Sequence, residues 1–156
     1  MAPSPRPRSP ELRFLGEAFD RLSREYPATR DGLSLTERRV LAAVAEGAPD
    51  AETAFYRAAA RETRPYLGDT WCFAMMDRMA HAPVPLLDAE PTDAPVDGAT
   101  RLRLTDTGAR VLAGEADHVT LNGIDRWIGG VHLRGRHVRW RWDDGTETIA
   151  GLAEET

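Results

Sequence analysis

Arg101-Leu102-Arg103-Leu104-Thr105-Asp106-Thr107-Gly108-Ala109-Arg110-Val111-Leu112 changes period half-way along. Arginine and leucine alternate as far as Leu104, the two-residue repeat of a strand with one buried face. Thr105 then stands at an N-cap position, and Gly108, Val111 and Leu112 return at helical spacing. A strand running straight into a capped helix needs a partner strand and helices to cover it. Val84 to Leu87 supplies a short apolar run for the partner. Asp88 to Thr100, acidic and proline-containing, reads as the hairpin loop between the two.

Upstream the pattern is helical. Ser9 offers an N-cap with Pro10 at the tolerated first position, and Leu12, Leu15, Phe19, Leu22 and Tyr26 form one stripe that Pro27 stops. That stripe serves either a dimer or packing on its own domain, and the latter is expected. After the Asp31-Gly32 turn, Ser34 and Glu37 have capping-box spacing, Val40, Leu41 and Val44 form the buried stripe, and Gly47 fits a left-handed stop. A third helix is expected from Ala51 to Arg64, capped by Asp50, with Phe55 and Tyr56 inward. A fourth follows Gly68 and carries Trp71, Phe73, Met75, Met76 and Met79.

The whole reads as α+β: a winged helix-turn-helix core with an extra N-terminal helix and a C-terminal three-stranded antiparallel meander. Residues 1–9, with Pro3, Pro5 and Pro7, read as a disordered tail, a linker or a frayed end. Residues 10–116 hold the N-terminal helix and core, and residues 117–156 the meander packed on it. A chain of 156 residues can bury a core without staples. Cys72 is its one cysteine, so no intrachain disulfide forms and a cytoplasmic setting is expected. No apolar run suits a membrane span, and a net charge of −5 does not favour a polyanion.

Residues 103–112 resemble the strand-to-helix junction of many bacterial winged-helix regulators, and Leu33-Ser34-Leu35-Thr36-Glu37-Arg38-Arg39-Val40-Leu41 resembles their first helix. The run Leu121-Asn122-Gly123-Ile124-Asp125-Arg126-Trp127-Ile128-Gly129-Gly130-Val131-His132-Leu133, with Leu67-Gly68-Asp69-Thr70 upstream, is similar to the C-terminal winged-helix segment of an uncharacterised bacterial domain-of-unknown-function family. This resemblance spans most of the chain after the tail. Longer members carry an additional N-terminal domain, so it implies a fold and a regulatory remainder rather than a chemistry. The family offers no catalytic residues to carry over.

In DNA-binding winged helices the third core helix and the hairpin both approach phosphates, so both need basic side chains. Here that helix offers Asp69, Asp77 and Arg78, and Asp88, Glu90, Asp93 and Asp97 face no cation between Asp88 and Thr100. The usual docking mode is therefore disfavoured.

In the meander, turns at Arg134-Gly135 and Asp144-Gly145 pair Val131 with Val138, His132 with His137, Trp142 with Glu147, Arg141 with Thr148 and Trp140 with Ile149. Val131, Leu133, Val138, Trp140, Trp142 and Ile149 then share the inner face, which Trp127 is expected to join. His132, His137, Arg139 and Arg141 share the outer face, with Arg134 and Arg136 at the turn. This basic set holds phosphate, an acidic partner or the protein's own acidic hairpin, or it is a solvated face whose charges deter edge pairing. A polar corner of Asn122, Asp125, Arg126 and Trp127 near His132 is either a small-ligand or peptide pocket or an Asn-Gly turn, an Asp cap and an ion pair, with the structural roles preferred.

Most chemistries find no support. His132 and His137 lack the third ligand zinc needs. Cys72 sits among apolar neighbours, no phosphate loop or dinucleotide fingerprint occurs, and the serines lie in the tail or early helices. The expected function is a noncatalytic winged-helix module without cofactor, metal or membrane contact, binding a protein partner or a second copy through its N-terminal helix. The alternative is a nucleic-acid-binding regulator using the Arg139/Arg141 face, and an enzyme centred on Asp125 and His132 is the remote third.

Overall fold

Three helix starts follow from the side chains nominated as caps. Ser34 Oγ accepts from Glu37 N at 3.1 Å while Ser34 N donates to Glu37 Oε2 at 2.9 Å, closing a capping box on α2 (Leu35–Ala45). Asp50 accepts from Thr53 N at 2.8 Å and starts α3 (Ala51–Ala59). Thr105 Oγ1 accepts from Gly108 N and donates to Pro85 O, starting α5 (Asp106–Leu112) while tying it to the chain before the first strand. Each meets backbone donors that a helix start leaves without partners. Thr105→Ala is expected to lower stability by about 1 kcal/mol, read as a shifted urea midpoint at unchanged slope.

The computed structural model describes residues 12–151. The proline-rich segment 1–9 and the Ser9–Pro10 helix start lie outside them. The described chain is α+β and also contains α1 (Arg13–Ser23), α4 (Asp69–Ala80), α6 (His118–Asn122), β1 (Leu87–Glu90), β2 (Arg101–Leu104), β3 (Ile124–Ile128), β4 (Val131–Gly135), β5 (Arg141–Asp143) and β6 (Thr148–Ala150). Strands pair as three antiparallel hairpins, β1–β2, β3–β4 and β5–β6. The main core lies between α2 to α5 and the β1–β2 hairpin, centred on Leu33, Val40, Leu41, Met76, Met79, Leu86, Leu87, Leu102 and Val111. Asp50 bridges to Arg101, and Leu102 N donates to Pro49 O, so the α2–α3 connection lies along β2. A second cluster joins Tyr26, Ile128, Leu133 and Trp142, with a parallel bridge between Ala28 and Trp142.

Among the described residues the expected three-stranded meander does not form, and the C-terminal strands pair as two separate hairpins. His132 stands opposite Trp127 rather than His137, and Val131 opposite Ile128 rather than Val138. The turn lies at Gly129-Gly130, where both residues have positive φ, +55° and +83°. A two-residue hairpin turn with both φ positive accepts Gly-Gly freely, whereas Arg134-Gly135 would force an arginine into the left-handed region. The β5–β6 register is displaced by two residues, pairing Trp142 with Ile149. Asp143 Oδ1 accepts from Gly145 N and Thr146 N, organising a loop longer than two residues. A two-residue shift keeps the faces, so Trp142 stays inside.

The first strand runs from Leu87 to Glu90 rather than over 84–87, because Val84 is held by a side chain described below. Helix α3 stops at Ala59, five residues short of Arg64, and Tyr56 faces solvent. Along α1, Leu12, Phe14, Leu15 and Phe19 are exposed, so the expected packing on its own domain holds only at partly buried Leu22 and buried Tyr26. Polar contacts hold the helix instead: Arg21 to Glu62, Arg64 to Glu17, and the Arg64 guanidinium 4.2 Å over the Phe14 ring.

Candidate functional site

The polar corner divides between two faces of the β3–β4 hairpin. Strand alternation sends Arg126 inward and Asp125 and Trp127 outward. Inside, Arg126 Nη2 donates to Glu37 Oε1, on a carboxylate whose side chain is only 2% exposed. Burial pushes the Glu37 pKa up, but the charge of Arg126, that of His118 and the Ser34 N–H outweigh it and bring the pKa down to about 2. Asn122 ends α6 and clamps Val84, its Oδ1 accepting from Val84 N at 2.8 Å and its Nδ2 donating to Val84 O at 2.9 Å. Those bonds remove Val84 from the strand ladder. Glu37, Arg78, Pro83, His118, Asn122 and Arg126 line a cleft of about 180 Å³, with Asp125 at its rim. Burial lowers the pKa of Arg78, and the charge of Arg126 lowers it further.

Outside, Trp127 is 69% exposed rather than part of the core. Its indole lies parallel to the His132 imidazole, with centroids 4.5 Å apart and planes within 7°. His132 Nε2 is 2.6 Å from Asp125 Oδ1, and Asp125 stands opposite Arg134. The hydrogen bond to His132 is the main cause lowering the Asp125 pKa. This face stacks an aromatic pair beside one acid and one base, and Asp125 is a strand residue, not a cap.

The basic set is not brought onto one face. Arg134, Arg136, His137 and Arg139 are exposed around the end of β4 and the segment after it. Arg141 turns inward: its Nη1 donates to Asp117 Oδ2 at 2.6 Å and to Ala28 O at 3.2 Å, and its Nη2 to Asp117 Oδ1. The chain has no lysine, so each fixed side-chain cation is a guanidinium, suited to such forked pairing with carboxylates. Asp117 also caps α6 by accepting from Thr120 N. No sequence motif marked this helix or its cap.

On α4 the exposed face carries Asp69, Thr70, Trp71, Ala74 and Arg78, and Trp71 is 67% exposed. On β1–β2, Asp88 stands opposite Arg103 and Glu90 opposite Arg101. Two of the four hairpin acids, Asp88 and Glu90, thus stand opposite cations on the paired strand. Neither surface presents a run of positive charge. Burial, helped by the charge of Glu25, pushes the Cys72 thiol up to about 12, far from a thiolate nucleophile. No group of three or more His, Cys, Asp or Glu able to hold a metal occurs among the described residues. No helix among them is long and apolar enough to cross a membrane.

Sequence reasoning missed Glu37 as the acid opposite Arg126, because its capping-box spacing already explained it. It also missed the exposure of Trp71 and a cavity beside Arg39. Compared with protein-family models, with curated proteins and with solved structures, the chain matches none.

Proposed function

We propose that this chain is a noncatalytic winged-helix module that works by contacting protein, with α1 as the contact element and a second copy as the partner to test first. The order α2, α3, α4, β1, β2, α5 supports the winged-helix reading, as does the Pro49–Asp50 backbone lying along β2. The observation carrying the function is the exposed stripe of Leu12, Leu15 and Phe19 along one face at the start of α1, with Phe19 58% exposed. Contiguous exposed apolar side chains on a water-soluble surface mark contact sites. The face of α4 that would enter a major groove offers Trp71 and the opposed charges of Asp69 and Arg78, a composition suited to protein rather than phosphate.

Sedimentation over a wide concentration range is expected to show self-association that Leu15→Asp with Phe19→Asp abolishes while circular dichroism stays unchanged. A chain monomeric at every concentration rejects the homodimer. Duplex binding is expected to be negligible at low and at high salt, and tight, salt-sensitive binding rejects the proposal as a whole.

A further inference from the structure

We propose that His81 is a proton-operated latch: its imidazolium ties the loop after β1 to the end of α4, and loss of the proton releases residues 91–95. His81 is the C-cap of α4, and its backbone N–H donates to Asp77 O at 3.0 Å. Its ring lies between two carbonyl oxygens, with Nδ1 3.0 Å from the same Asp77 O and Nε2 3.0 Å from Thr92 O. Asp77 Oδ1 stands 3.2 Å from Nδ1 as well. Carbonyl and carboxylate oxygens only accept, and a neutral imidazole carries a single N–H. In the neutral ring one nitrogen turns a lone pair toward an oxygen at hydrogen-bond distance. The doubly protonated ring donates at both ends, so this geometry selects the cation.

What the latch holds is local. Asp77 Oδ1 also accepts from Val96 N at 3.0 Å, so the end of α4 grips the loop at Thr92 through His81 and at Val96 through Asp77. Beyond that point the loop has other anchors, since Val96 belongs to the main core and Gly98 O accepts from Glu52 N. Among the described residues the His81–Thr92 contact is the one hydrogen bond that reaches residues 91–95 from outside the loop. Of the neighbouring charges on α4, Asp77 meets the ring and Arg78 lines the cleft beside Arg126. Asp93 follows Thr92 on the loop and adds no cation. Asp88, Glu90, Arg101 and Arg103 share with His81 a groove of about 820 Å³ against the hairpin, but they stand as two opposite-charge pairs across the strands. The carbonyls of Thr92 and Asp77 outweigh desolvation and, with the Asp77 charge, raise the His81 pKa above its ordinary 6.5. The folded chain therefore holds this proton more tightly than the unfolded one. The latch is closed below pH 6.5 and opens as pH rises through the higher folded-state value.

Long-range ¹H–¹⁵N spectra of the histidine rings in the intact chain, followed from pH 5 to pH 9, test this. Both ring nitrogens of His81 are expected to be protonated at the acid end, with a midpoint above 6.5. With that same midpoint, the ¹H–¹⁵N nuclear Overhauser values of Thr92, Asp93 and Ala94 should fall as pH rises, while those of Gly98 and Thr100 stay level. His81→Phe keeps a ring but donates nothing, so residues 92–94 should be mobile at every pH and the step should vanish. The His81 side chain is 40% exposed, so its replacement leaves the core in place, and the wild-type titration stands without it. A His81 midpoint at or below 6.5, loop mobility that does not change with pH, or a step that survives His81→Phe overturns the proposal.

Discussion

Arg126→Ala is expected to destabilise the fold by about 3–5 kcal/mol, among the largest effects open to a single substitution in this chain. The loss comes from what the substitution leaves behind. Glu37 sits in the first turn of α2 with 2% of its side chain exposed, and its other oxygen is bound to Ser34 N in the capping box. It cannot swing into water without opening the helix start. With Arg126 gone, a carboxylate remains in a low-dielectric setting, hydrogen-bonded to the Ser34 N–H alone, with His118 and Arg78 as the remaining charges that act on it.

The pH dependence gives the same claim a sign. In the wild type the Glu37 pKa falls from 4.5 to about 2, so the folded state binds its proton less readily than the unfolded chain. Its contribution, about 3 kcal/mol, is fully present above pH 4.5 and is lost as pH falls through that value toward about 2. Without Arg126 the largest remaining influence on Glu37 is burial, which raises its pKa, so its stabilising contribution at neutral pH shrinks. The deficit of Arg126→Ala relative to wild type should therefore be large at neutral pH and shrink as pH falls below 4.5. Urea unfolding of both proteins at neutral pH and near pH 3 measures this. A deficit that stays constant across that range would mean the pair contributes packing and not charge.

That pair also marks the limit of what the residues told in advance. Ser34, Asp50 and Thr105 were legible as caps because a cap is a contact across three residues, complete within its own segment. Glu37 and Arg126 lie 89 residues apart, and nothing local in either announces the other. The C-terminal hairpins failed for a related reason. Asn122-Gly123, Gly129-Gly130 and Arg134-Gly135 are all turn candidates within a short stretch, and a turn at the third pairs Val131 and His132 with the wrong partners. The left-handed backbone at both Gly129 and Gly130 decided the matter, and the preference was available from composition alone. Trp127 followed the wrong turn into the wrong face. Exposure of Leu15 and Phe19 was beyond reach in a different way. Their spacing defines a stripe, but whether a stripe is covered depends on the placement of other elements. Arg141 shows the converse, an expected outer-face cation drawn inward because Asp117, from an unforeseen helix, stands beside it.

Gly108→Ala is expected to destabilise by about 3 kcal/mol, although helix propensity alone argues for a gain of about 1 kcal/mol. The two effects oppose each other, and distance decides between them. A Cβ at Gly108 would lie 2.1 Å from Leu86 O and 3.0 Å from Leu104 Cδ1. The leucine side chain can yield by changing rotamer, but the carbonyl cannot. Leu86 O accepts from Thr105 N at 3.2 Å, and Leu86 N donates to Met79 O at 3.0 Å, so its peptide is fixed to both α4 and the α5 cap. Relief requires α5 to move off the β1–β2 hairpin, which would strain the Thr105 Oγ1 bond to Pro85 O and loosen Val111 from the core. Gly47→Ala separates packing from backbone conformation. No atom lies within 4 Å of its added Cβ, but its φ is +100°, so it should lose only about 1 kcal/mol. Thermal unfolding of the two variants measures the contrast. If Gly108→Ala is as stable as wild type, α5 does not rest against the Leu86 backbone, and the junction between β2 and α5 is looser than its hydrogen bonds imply.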